Sequence, residues 1–180
     1  DVFVHAPDRD GLFAAIVITL DRLGLVIQHA RALDGPEHTI FDTFQVLAAD
    51  PRQAPDIAGI ERKLATVLTG SLDVRPARRA QPRHLRHFRI APQVDFDTAA
   101  DGARTVMSLV CTDRPGLLAD IAHVLRQQRI RVHDARIATF GARAEDVFLV
   151  SDRQDRALDA TQCAALRDAL HLGIEGEPTA

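Results

Sequence analysis

Two short stretches of this 180-residue chain carry residue types from which a small-molecule site can be built. Asp8-Arg9-Asp10-Gly11-Leu12 returns at Asp113-Arg114-Pro115-Gly116-Leu117. In each, a carboxylate, a guanidinium and a glycine stand directly before an apolar run with helical spacing. A turn feeding a helix start presents N–H groups with no intrahelical partner, at the positive end of the helix dipole. That is a seat for a carboxylate. Gly11 and Gly116 let the backbone approach a ligand closely. Asp8 and Asp113 can accept from an ammonium, or can cap the helix. Arg9 and Arg114 can pair with a carboxylate, or lie on the surface. A free amino acid needs such donors and acceptors together. Asp10, where the other turn has Pro115, adds negative charge that suits the dipole but opposes a ligand carboxylate. The second turn is therefore the preferred one.

The elements that must position these turns repeat with them. At the same offset Ile16 matches Ile121, Leu20 matches Leu125, and Ala30-Arg31 matches Ala135-Arg136. A one-residue slip aligns Asp42-Thr43-Phe44 with Asp146-Val147-Phe148. Val2 to Ala6 reads as a strand, and Leu12, Phe13, Ile16, Leu20 and Leu23 mark a helix that ends at Gly24. Leu25–Leu33 and Thr39–Ala48 read as strands around a Gly35-Pro36 turn. Ile57, Ile60, Leu64, Val67 and Leu68 give a second helix closed by Gly70, and Val94 and Phe96 offer a last strand. The order is βαββαβ, a ferredoxin-like arrangement. The second copy follows it from Val106 to Leu170 but leaves little chain for a last strand. The expected fold class is α+β, with two such units in tandem: 1–74 plus 90–98, and 103–172. An arginine-rich linker, 75–89, separates them, and 173–180 is a tail.

Composition narrows the function classes. Net charge is −3, apolar content is 46%, and no apolar run is long enough for a transmembrane helix, so no membrane partner is expected. Cys111 and Cys163 are too few for a disulfide scaffold and fit free thiols in a reducing cytoplasm. The linker holds six arginines, two histidines and no acid, and suits a solvated crossover or a docking surface for an acidic partner. Only Phe88 can stack on a base there, which argues against nucleic acid. His84-x-x-His87 lacks a second ligand pair, and no metal is expected. No nucleophile–base pair stands out, so no catalytic residue is assigned. The opening Asp1-Val2-Phe3-Val4 reads as the inside of a strand, as in a fragment.

The Asp-Arg-Pro-Gly-Leu turn between strand and helix resembles the ACT domain, a small ligand-sensing module. His133-Asp134-Ala135-Arg136-Ile137, the stretch Gly141 to Phe148 and the linker Leu85-Arg86-His87-Phe88 are similar to the tandem ACT region of bifunctional PII uridylyltransferase/uridylyl-removing enzymes. The resemblance implies a glutamine-sensing regulatory pair serving nitrogen regulation. It implies upstream catalytic domains in the same chain, PII as a partner, and ACT–ACT pairing within or between chains. No cofactor is implied for this stretch; Mg2+ would serve the transferase domain. In such domains the ligand lies between one turn and the second strand of a paired copy, which adds Gln28, His29, His133 and Asp134 as site residues. His133-Asp134 lies on an expected strand, away from the helical setting of a hydrolase metal centre. The alternative is an ACT pair that binds no ligand and serves docking or oligomerisation.

Overall fold

In the computed structural model, residues 1–33, 35–52, 54–71, 75–77, 90–100 and 102–175 are described. Most of the arginine-rich linker, including His84 to Phe88, and the end of the tail from Gly176 lie outside them. The elements are β1 (Val2–Pro7), α1 (Leu12–Arg22), β2 (Leu25–Arg31), a 3-10 turn (Pro36–His38), β3 (Thr39–Ala48) and α2 (Ile57–Thr69). There follow β4 (Gln93–Thr98), β5 (Thr105–Thr112), α3 (Leu117–Gln127), β6 (Arg131–Phe140), β7 (Arg143–Ser151) and α4 (Ala160–Glu175). Strand, helix, strand, strand, helix thus occurs twice. No helix among the described residues is long and apolar enough to cross a membrane.

The strands among the described residues join one antiparallel sheet of order β1-β3-β2-β6-β7-β5-β4. Period-two alternation sends Val4, Ile40, Phe44, Leu109 and Phe148 to the helical face, where they are buried. α1 packs against both α2 and α3, and α4 against α3, so the helices lie side by side. α1 is closed in on several sides, which is why Ala15 to Ile18 are fully buried. α2, at the end of that row, buries Leu64 alone, and less completely.

The halves meet where β2 runs antiparallel to β6. Ala30 pairs with Ala135, its own counterpart in the repeat, with His29 opposite Arg136 and Arg31 opposite Asp134. A residue paired with its own equivalent is the mark of a local two-fold relation. Each of these strands also carries a register shift at an equivalent place, Ile27/His29 in β2 and Val132/Asp134 in β6.

The last strand departs from the sequence expectation. Val94 and Phe96 were expected to complete the first unit, but β4 pairs with β5, Val94 opposite Leu109 and Phe96 opposite Met107. It fills the place beside β5 that a final strand of the second unit would occupy, and gives β4-β5-β7-β6. The physical reason is locality: β4 and β5 are joined by a short connection tied by Ala99 N–H to Arg104 O at 2.9 Å, and closing a short loop costs little entropy. α4 fastens the strand further, with Arg167 Nε donating to Val94 O at 3.0 Å and its guanidinium over the Phe96 ring. β1 is left as the opposite edge.

Candidate functional site

Two cavities flank the β2–β6 junction, one for each turn. The first, about 370 Å³, is lined by all of Asp8 to Leu12 together with Arg126, Arg129, Arg131 and Val132 from the other half. The second, about 340 Å³, is lined by all of Asp113 to Leu117 with Asp21 and Leu25 to Gln28 from the first half. Both fall in the size range of small-molecule sites. Each turn is closed by the other copy, as the two-fold relation requires.

The turns share a backbone. Gly11 and Gly116 have φ of 83° and 82°, a left-handed conformation that L side chains rarely adopt. Leu12 N–H donates to Arg9 O and Leu117 N–H to Arg114 O, closing each turn. The glycine is the N-cap in both, and neither helix has a side-chain cap. Asp8 and Asp113 therefore do not cap, contrary to one of the two expected roles. Asp8 instead accepts from Arg131 at 2.6 Å across the junction. Burial pushes the Asp113 carboxyl up, against a hydrogen bond from the Arg114 backbone N–H that lowers it.

The turn arginines have a shared structural task. Arg9 donates to the carbonyls of Leu68 and Gly70 at the end of α2. Arg114 donates to Ile174 O near the end of α4 at 3.2 Å and pairs with Asp120 at 2.6 Å. A cation on the last carbonyls of a helix complements its dipole. Each arginine ties its turn to the second helix of its own copy.

The second cavity also contains a carboxylate that sequence reasoning missed. Asp146 lies on the helical face of β7, 2% exposed, and lines the cavity with Asp113. Its Oδ1 is buried and has no hydrogen-bond partner among the described residues. Burial pushes the carboxyl up to about 7, opposed by a hydrogen bond from the Ala138 backbone N–H and reinforced by the Asp113 charge. A buried oxygen without a donor is costly in a folded protein. A ligand ammonium or amide N–H would satisfy it. Asp42, the counterpart on β3, is equally buried and lines the first cavity. The signal was in the repeat: a matched Asp, two residues from apolar inward neighbours, Ile40 and Phe44 in one copy and Ala144 and Phe148 in the other.

Of the four strand residues expected at a site, Gln28 lines one of these two cavities, the second. Its counterpart His133 is buried away from both, its Nε2 2.8 Å from Ser151 Oγ. His29 and Asp134 face each other across the junction at 3.9 Å, outside both cavities. Arg131 and Val132, just before the irregularity in β6, line the first cavity, as their counterparts Val26 and Ile27 line the second. Cys111 is fully buried, and burial pushes its thiol up to about 12, so it presents no thiolate at neutral pH.

The ACT-domain family model matches residues 105–166. The chain is 60% identical over 171 residues to a bifunctional uridylyltransferase/uridylyl-removing enzyme of Xanthomonas oryzae pv. oryzae (strain MAFF 311018), covering 94% of this chain and 20% of that protein. It is 36% identical over 185 residues to the enzyme of that description from Pseudomonas fluorescens (strain SBW25), covering 98% and 21%. The chain thus spans about a fifth of the length of the curated relatives it matches. Among solved structures, aspartate kinase from Synechocystis aligns with a TM-score of 0.48 and 19% identity, over 90% of this chain and 24% of that one.

Proposed function

With an ACT domain at residues 105–166 and homology to bifunctional uridylyltransferase/uridylyl-removing enzymes along nearly the whole chain as premises, we propose that this chain is the amino-acid-responsive regulatory part of such an enzyme. In this reading it catalyses nothing itself. It forms an internally paired tandem of ACT units, senses glutamine and acts on catalytic domains elsewhere in the same protein, with PII as the protein substrate. One observation carries the reading: the second cavity joins an uncapped helix start to the unpartnered Asp146 Oδ1. The helix start suits the ligand carboxylate. Asp146 suits the ammonium, and Gln28 offers an amide to a side-chain amide. The test is calorimetric titration of the chain with glutamine, glutamate and asparagine. Glutamine should bind in the range of about 0.1–10 mM, or about −5.5 to −2.7 kcal/mol, and the others more weakly. Equal or absent heats for all three would overturn glutamine sensing.

A second reading is favoured by the outer face of the sheet. Phe3 is 75% exposed there, and Phe41 is exposed and stacked on His5 with ring centroids 4.3 Å apart. An exposed apolar patch marks a contact surface, and the remaining four fifths of a homologous chain would supply the partner. In that case Phe3→Ser would change the regulation of the whole enzyme with glutamine affinity intact.

A further inference from the structure

The two cavities have opposite charge, and the difference starts at one pair of equivalent positions. Asp21, near the end of α1, faces the second turn: a Cβ built on Gly116 would stand 4.0 Å from its Oδ2. The matching place at the first turn is held by Arg126, near the end of α3, whose Cδ and Nε would stand 2.8 Å from a Cβ on Gly11. The rest of each lining follows suit. Arg9, Arg126, Arg129, Arg131 and Arg153 line the first cavity against three carboxylates. One arginine, Arg114, lines the second against three carboxylates.

The three acids of the first cavity, Asp8, Asp10 and Asp42, are outnumbered by its five arginines. Asp8 is held by Arg131, which also pairs with Asp155 at 2.8 Å, and Asp10 is held by Arg153. Arg9 donates to backbone carbonyls, which leave its charge uncompensated. Arg129 sits on the exposed rim. Guanidinium forks beside a helix start match the paired oxygens of a phosphate or carboxylate group. A zwitterion would bring an ammonium into this positive surround, whereas an anion without one would not.

We propose that the first cavity is a second ligand site, for a small oxyanion with two negative charges and no ammonium group, distinct from the amino-acid site at the second turn. A phosphate ester and a dicarboxylate share that chemistry. The proposal holds whether or not the second cavity takes glutamine.

The experiment titrates the chain at low salt with inorganic phosphate and, separately, with succinate, each with and without saturating glutamine, followed by calorimetry. At least one anion should bind, more weakly as salt rises, and glutamine should not displace it. The stronger of the two assigns the source. Arg126→Asp, which gives the first turn the residue that faces the other, should weaken the anion by about tenfold or more. Arg129→Ala on the exposed rim should weaken it by about threefold and guards against a folding defect in the first variant. Asp21→Arg should leave the affinity of the first cavity unchanged. Binding of neither anion, wild-type affinity in both first-cavity variants, or displacement by glutamine would each overturn the proposal. Loss of glutamine binding with the anion retained would instead overturn only the amino-acid reading.

Discussion

The two turns agree at four of five aligned positions and share a left-handed glycine and an arginine tied to the end of a helix, yet they face different partners. The Asp8–Leu12 turn faces Arg126 and is latched across the junction by Asp8–Arg131 and Asp10–Arg153. The Asp113–Leu117 turn faces Asp21 and the buried Asp146, and its arginine stays within its own half. The two turns have the same backbone device and differ in the residues that face it. The lesson is that a helix start alone does not define a ligand; the charge opposite it does.

The strongest test of the comparison is Asp146→Asn against Asp42→Asn. Losing a charge-assisted hydrogen bond costs about 1.5–3 kcal/mol, so Asp146→Asn should weaken glutamine by at least about tenfold by calorimetry. Asp42→Asn should leave it nearly unchanged; equal losses would erase the distinction between the cavities. The pH dependence follows from the same group. Asp146 ionises near 3.8 when unfolded and near 7 when folded. Its contribution to stability is therefore full below about 4 and is lost as pH rises through about 7. Glutamine binding needs the ionised form and should tighten over the same interval. Asp146→Asn should flatten both profiles, read as urea midpoints and affinities from pH 5 to 8.

Replacing either glycine by alanine should cost about 1–2 kcal/mol, because each sits at positive φ. Gly11→Ala should cost more than Gly116→Ala, since only there does the new Cβ press on a side chain, Arg126. Urea unfolding of the two variants measures the gap. Arg9→Ala and Arg114→Ala should each lose about 1 kcal/mol of stability. Arg114→Ala should change glutamine affinity by no more than about twofold, because Arg114 is tied to a helix end and to Asp120, whereas Arg9→Ala removes uncompensated charge from the first cavity and should weaken the anion there by about threefold. A large affinity loss in Arg114→Ala with stability intact would restore it as a ligand contact. The smallest effect is expected at the latch: Asp8→Asn should cost a few tenths of a kcal/mol, and less in high salt.

Much of this was legible in the sequence. The repeat placed both turns, and apolar periodicity placed the helices and strands around them. The facing residues were not legible, because Asp21 and Arg126 lie at helix ends where a charged residue is ordinary. Only the β2–β6 pairing carries them to the opposite turn. The placement of His133 was not legible either, because strand parity does not reveal where a register shift turns a side chain inward, here toward Ser151.

By itself the sequence determined the two turns, their glycines and the order of elements, since these follow from local conformational preference and periodicity. The tertiary structure alone decided that β4 completes the second half, that each turn is closed by the other copy, and that the two cavities differ in charge. These depend on contacts between residues far apart in the chain, where a short hairpin wins a strand and one antiparallel pairing brings opposite charges to equivalent places.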